Sequence, residues 1–263
     1  MKTVRAFILC IQFFTSIPVP LEVPADREHI KRVIQLFPVL GVMQGVVYSL
    51  IVYVLLEWTP LSAVAVAFFL SLAWIFLTGG LHLDGWMDVS DAYFSFRDPE
   101  KRLDIMKDSR IGAFGVLSVI ILLSARFLFM YETIERFTPV MYVYILLIPF
   151  FGKMMMGTLL VTVKQAKPDG LGALFKKAAS KSTSFIYFVY AVLLSGTAIF
   201  LCPESMPGIF AFLLTATIFV LWMRKKVVRW FGGMTGDVNG AAAEGGETLL
   251  WMILWLLPYS GMA

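Results

Sequence analysis

Cysteine and histidine are nearly absent, with two of each in the chain: Cys10, Cys202, His29 and His82. None of them stands at metal-ligand spacing, so a zinc site and a disulfide framework are both excluded, and the thiols are expected to be free. Charge is scarce as well. Charged residues make up 15% of the chain against 59% hydrophobic, and the mean hydropathy is +0.80. That balance excludes an ordinary water-soluble domain and describes a chain embedded in lipid. The formal net charge of +4 and the pI near 9.0 do not point to nucleic acid. The excess lies in the connections between apolar runs, where it sets membrane orientation. The N-terminal run over 6–14 lacks a small-residue cleavage pattern and reads as an interfacial or re-entrant part of the mature protein.

What the chain has in abundance is long apolar stretches. Seven approach the length of a spanning helix, at about 36–56, 61–78, 112–131, 139–161, 184–202, 207–223 and 248–262, the last being the shortest. The expected fold is therefore all-α: a polytopic membrane bundle of about seven transmembrane helices, with short helices in the loops, forming one domain over 1–263. Lys and Arg number five before residue 36, five in 79–111, five in 164–183 and four in 224–247, against one in 132–138 and none in 57–60 or 203–206. By the positive-inside rule the N-terminus and the loops at 79–115, 164–183 and 231–247 are cytoplasmic, and the C-terminus is outside.

Polar chemistry concentrates in two of those loops. In the first, Asp84, Asp88 and Asp91 stand at i, i+4 and i+7, which on a helix puts all three within roughly 60° of one another. At about 5 Å and an effective dielectric of about 20, each pair repels by roughly 3 kcal/mol, so a positive partner is expected among them. Gly79-Gly80 is expected to end the second span and start a new helix near His82, with Asp84 at its favourable N-terminal end. Asp98-Pro99 reads as the cap and first residue of another short helix. The second loop, Phe231 to Glu247, is glycine-rich and carries Asp237, Glu244 and Glu247. A hard divalent cation such as Mg²⁺ suits grouped carboxylates; a solvated acidic face is the plainer alternative. Lys153, inside the fourth span, is a functional candidate, whereas Arg126 near the outer end of the third is expected to snorkel.

At these residues the sequence resembles the adenosylcobinamide-GDP ribazoletransferase family, also called cobalamin (5′-phosphate) synthase. Gly79-Gly80-Leu81-His82-Leu83-Asp84-Gly85 with Asp88 and Asp91 is similar to the family's first signature, Ile105 to Gly112 to its second, and Gly232-Gly233-Met234-Thr235-Gly236-Asp237 with Gly240 and Glu244 to its third. Lys153 stands at what is taken as an arginine position, and Asn239 replaces a usual apolar residue.

The resemblance implies a Mg²⁺-dependent enzyme of the bacterial or archaeal cytoplasmic membrane, acting in cobalamin biosynthesis. It would join adenosylcobinamide-GDP to α-ribazole or its 5′-phosphate and release GMP. A ribose hydroxyl would attack the phosphoryl group attached to cobinamide. On that reading Asp84, Asp88, Asp108 and Asp237 hold metal, Asp91 is the base, and Lys153 and Arg110 neutralise the departing nucleotide. His82, Gly232, Gly233, Thr235 and Gly236 contact substrate. Two alternatives are a CDP-alcohol-type membrane phosphotransferase, which shares an aspartate pattern, and an ion-coupled transporter, which would place its acids mid-bilayer. Self-association is left open.

Overall fold

A computed structural model describes residues 2–260, of which the side chains of Tyr259 and Ser260 are excluded. Among the described residues every regular element is helical. In chain order these are α1 (Lys2–Phe14), α2 (Arg27–Trp58), α3 (Ala63–Thr78), α4 (Leu81–Phe94), α5 (Pro99–Ile105), α6 (Ala113–Glu135), α7 (Met141–Thr162), α8 (Leu171–Ala178), α9 (Ser182–Leu201), α10 (Met206–Phe231) and α11 (Gly236–Leu256). Short 3₁₀ turns lie at Pro203–Ser205 and Leu257–Ser260.

The protein is an integral membrane bundle. Five described helices, α2, α6, α7, α9 and α10 with its leading turn, are long and apolar enough to cross a bilayer; a sixth span results if α3 and α4 count together. The expected seventh, 248–262, is the second half of α11, and its residues 261 and 262 lie outside the described part of the chain. The stretch expected as the loop 231–247 is helical from Gly236 onward. The reason is packing. Gly240, Ala241, Ala242, Ala243 and Gly246 are all buried, so α11 is thin enough to run between α4, α6, α7 and α10.

Central α7 packs most closely on α2. An aromatic layer sits beside it, where Tyr48 stacks on Trp74 with ring centroids 4.3 Å apart and Trp74 meets Trp251 edge-on at 6.1 Å. Two ion pairs cross the interior. Arg126 of α6 meets Glu244 of α11 at 2.6 Å, and Lys153 of α7 meets Glu247 of α11 at 3.1 Å. All four side chains are almost fully enclosed. Arg126 therefore does not snorkel. It turns inward because Glu244 and Thr248 offer it acceptors that lipid cannot, and an unpaired charge there would be expensive.

The α3–α4 junction bears out the expected break. Gly79 and Gly80 both adopt left-handed backbone angles, φ 65° and 74°, and the chain turns by 89° between the two helices. Helix α4 consequently leaves the end of α3 nearly at right angles. The N-terminal run is likewise a helix of the fold: α1 packs on α2 through Ala6, Leu9 and Cys10. Both cysteines are free.

Candidate active site

Helix α4 crosses α11 so closely that one residue decides the distance. A Cβ on Gly85 would lie 2.8 Å from the Asp237 carbonyl oxygen and 2.9 Å from its Cα. Because Gly85 has no side chain, the first turn of α4 reaches the first turn of α11, and Asp84 arrives beside Asp237. Asp88, one turn further along α4, feels both. Burial first, then the charges of Asp84, Asp237 and Asp91, push its carboxyl up to about 6. Lys167 is the cation that moderates this field, and among the described residues no cation lies within ion-pair distance of Asp84, Asp88 or Asp237. Two segments about 150 residues apart in sequence thus bring three acids together.

Asp84 and Asp237 border a cavity of about 520 Å³, and Asp88 stands behind them outside its lining. Asp84, Asp237, Lys167 and Asp169 stand at its polar side; Phe14, Phe37 and Phe175, which contact one another edge-on or stacked, form its apolar wall. Two of its buried lining residues carry atoms without a partner, Nε2 of His82 and Oδ1 of Asn239. The loop before α8 is held to the start of α11 by Met234, whose N–H donates to the Lys164 carbonyl at 2.8 Å and whose own carbonyl accepts from Ala166 N–H at 3.0 Å. Thr235 caps α11, its hydroxyl accepting from Val238 N–H at 3.1 Å.

Of the residues expected from sequence to touch substrate, His82, Thr235 and Gly236 line this cavity. Gly232 and Gly233 do not; Gly232 caps α10, and Gly233 lets the loop pass close to Lys164 and Gln165. The carboxylate of Asp91 sits elsewhere than expected of a base. Its Oδ2 accepts from Gly112 N–H at 2.7 Å and its Oδ1 from Gly115 N–H at 2.8 Å, so it caps α6. With both carboxylate oxygens committed to backbone N–H groups at the start of α6, the side chain is turned away from the cavity. Asp108 is exposed and held by Arg110 at 2.6 Å, which takes its carboxyl down to about 2. Both residues lie outside the cavity, and each satisfies the other. Lys153 is enclosed against Glu247 instead of facing the cavity.

Some of the cavity lining carries only a weak sequence signal. Lys167 belongs to the lysine-rich connection 164–183, which could hold phosphates, and Asp169 precedes Gly170-Leu171-Gly172 without a signal of its own. The phenylalanine wall comes from three separate helices, α1, α2 and α8, and no one-dimensional pattern joins them. Among the described residues no group of three His, Cys, Asp or Glu side chains converges as a ready-made metal shell.

Comparison with known proteins identifies the family. The family model described as cobalamin-5-phosphate synthase matches residues 6–255. An adenosylcobinamide-GDP ribazoletransferase of Geobacillus sp. (strain WCH70) is 38% identical over 95% of both chains. That of Geobacillus thermodenitrificans (strain NG80-2) is 37% identical over 98% of both, and that of Clostridioides difficile (strain 630) is 32% identical over 97% of this chain and 98% of its own. No solved structure matches the chain. With family match and relatives both spanning nearly its whole length, the chain belongs to the cobalamin-5-phosphate synthase family.

Proposed function

We propose that the protein joins adenosylcobinamide-GDP to α-ribazole or its 5′-phosphate, releasing GMP, and that Asp84, Asp88 and Asp237 hold the Mg²⁺ this requires. The observation that carries the proposal is the α4–α11 crossing at Gly85, which sets Asp84 and Asp237 without a cationic ion-pair partner at the edge of a cavity, with Asp88 close enough to feel both charges. Carboxylate oxygens are the right donors for a hard cation. That they form no closed shell suits Mg²⁺, which keeps several waters and completes its coordination with substrate phosphate. When bound, the ion would neutralise charge on the diphosphate.

The chain's own residues account for the remainder of the arrangement. A ribose hydroxyl attacks the phosphorus attached to cobinamide, a new P–O bond forms, the bond to the GMP phosphate breaks with its electron pair leaving on GMP, and the hydroxyl's proton passes to solvent water. Lys167, facing Asp88 and Asp237 from the opposite loop, is placed to meet phosphate oxygens. The wall of Phe14, Phe37 and Phe175 offers a dry surface to a flat ring. Asp91 acts as a positioning residue that fixes α6 to α4, and Asp108 with Arg110 closes the loop between α5 and α6. The lysine and arginine excess of the connections supports placing this face in the cytoplasm.

Purified protein in detergent, supplied with both substrates and Mg²⁺, is expected to release GMP. Asp84→Asn should lower that rate by on the order of 10²-fold or more, the scale of losing one charge-stabilising group. Undiminished turnover in Asp84→Asn would refute the assignment.

A further inference from the structure

A second cavity, of about 1170 Å³, opens sideways between α6 and α10. These two helices barely touch; each leans on α11 instead, whose Ala241 and Gly245 form a shallow back wall. Its sides are apolar and exposed, Phe114, Leu117 and Ile121 on α6 and Ile218 and Trp222 on α10. Because α6 and α10 are spanning helices, this opening faces the bilayer. From Phe114 to Ala125 the groove follows α6 for twelve residues, a rise of about 16 Å at 1.5 Å per residue. One leaflet of hydrocarbon is about 15 Å deep.

The groove is not uniformly greasy. At the end nearest α4 it is closed by Lys226, whose ammonium lies 5.8 Å from the Trp222 ring and 5.3 Å from the Trp230 ring. Among the described residues Lys226 has no carboxylate within ion-pair distance. A cation flanked by tryptophans at the interface, above an apolar slot one leaflet deep, is complementary to an anionic phospholipid: phosphate on the ammonium, acyl chain in the slot. We infer that the groove between α6 and α10 is a binding site for one anionic phospholipid of the surrounding leaflet. Its floor is Trp86, Val89 and Tyr93 of α4, the helix that carries Asp84 and Asp88 on another face. A lipid there would brace α4 from behind.

The test uses full-length protein in detergent, titrated with phosphatidylglycerol or phosphatidylcholine carrying the same brominated chains, with quenching of tryptophan fluorescence as the readout. Trp86, Trp222 and Trp230 line the site. Phosphatidylglycerol should quench saturably, with a midpoint about fivefold below that of phosphatidylcholine, the value of one interfacial lysine. Lys226→Gln should erase that difference, and Ala125→Phe, which fills the slot, should remove the saturable phase. Equal, non-saturating quenching by both lipids, or a preference that survives Lys226→Gln, overturns the inference. So does displacement of bound lipid by adenosylcobinamide-GDP, which would give the groove to substrate.

Discussion

Gly85→Ala separates the site's geometry from the protein's stability. The added methyl would sit 2.8 Å from the Asp237 carbonyl oxygen, whereas ordinary contact begins at 3.4 Å, so the α4 and α11 backbones must part by at least the difference, 0.6 Å. Both partners are backbone, so no side chain can swing away. Overpacking of this kind costs about 1–3 kcal/mol. Replacing glycine by alanine inside a helix returns about 0.5–1 kcal/mol. The net loss of stability is therefore modest, roughly 0–2.5 kcal/mol. Function should suffer far more, because displacements near 1 Å can cost about 10²-fold in positioned reactions. Thermal unfolding and GMP release measured on the same preparation should show a midpoint lowered by no more than about 10 °C and a rate reduced about 10²-fold. A variant with normal turnover would mean that the α4–α11 spacing does not set the site.

Other substitutions address neighbouring parts of the argument. Asp88, raised to about 6, is ionised at neutral pH and protonated below it, so Mg²⁺ affinity should fall as pH drops through 6, measurable by calorimetry. In the metal-free protein the sign reverses: the raised pKa makes the protonated form the favoured one, and Asp88's contribution to stability is lost as pH rises through 6. Asp91→Ala should destabilise by about 1–2 kcal/mol through lost capping, with turnover falling no more than unfolding explains; a stable protein slowed by 10²–10⁴-fold would instead make Asp91 the base. Glu247→Gln leaves Lys153 charged and enclosed, which should cost about 3–5 kcal/mol, while Lys153→Met with Glu247→Leu should recover most of it. Denaturation of the single and double variants in one detergent decides between these outcomes.

Much of this architecture is legible in the sequence because local chemistry dictates it. Left-handed glycines at 79 and 80 announce the break before α4, and Asp98-Pro99 starts α5 as capping rules require, with Asp98 accepting from Lys101 N–H at 3.0 Å. What failed were inferences that needed a partner from elsewhere in the chain. The run from Gly240 to Glu247 looks like a loop because its glycines and acids oppose a free-standing helix. It is helical because buried neighbours favour small residues and because Arg126 and Lys153 neutralise its glutamates. Asp91 shares a helical face with Asp84 and Asp88, yet its role follows from Gly112 and Gly115, more than twenty residues on. Asp108 and Arg110 are close enough in sequence to satisfy each other, and they do.

The central claim is that carboxylates from two distant segments share one divalent cation. Mn²⁺ binding in place of Mg²⁺, followed by electron paramagnetic resonance on the protein and on Asp237→Asn and Asp84→Asn, tests it most directly. The account predicts a bound-ion signal in the unaltered protein that weakens by at least tenfold in affinity in both variants. Retention of full Mn²⁺ affinity in Asp237→Asn would contradict it, since the ion would then belong to α4 alone.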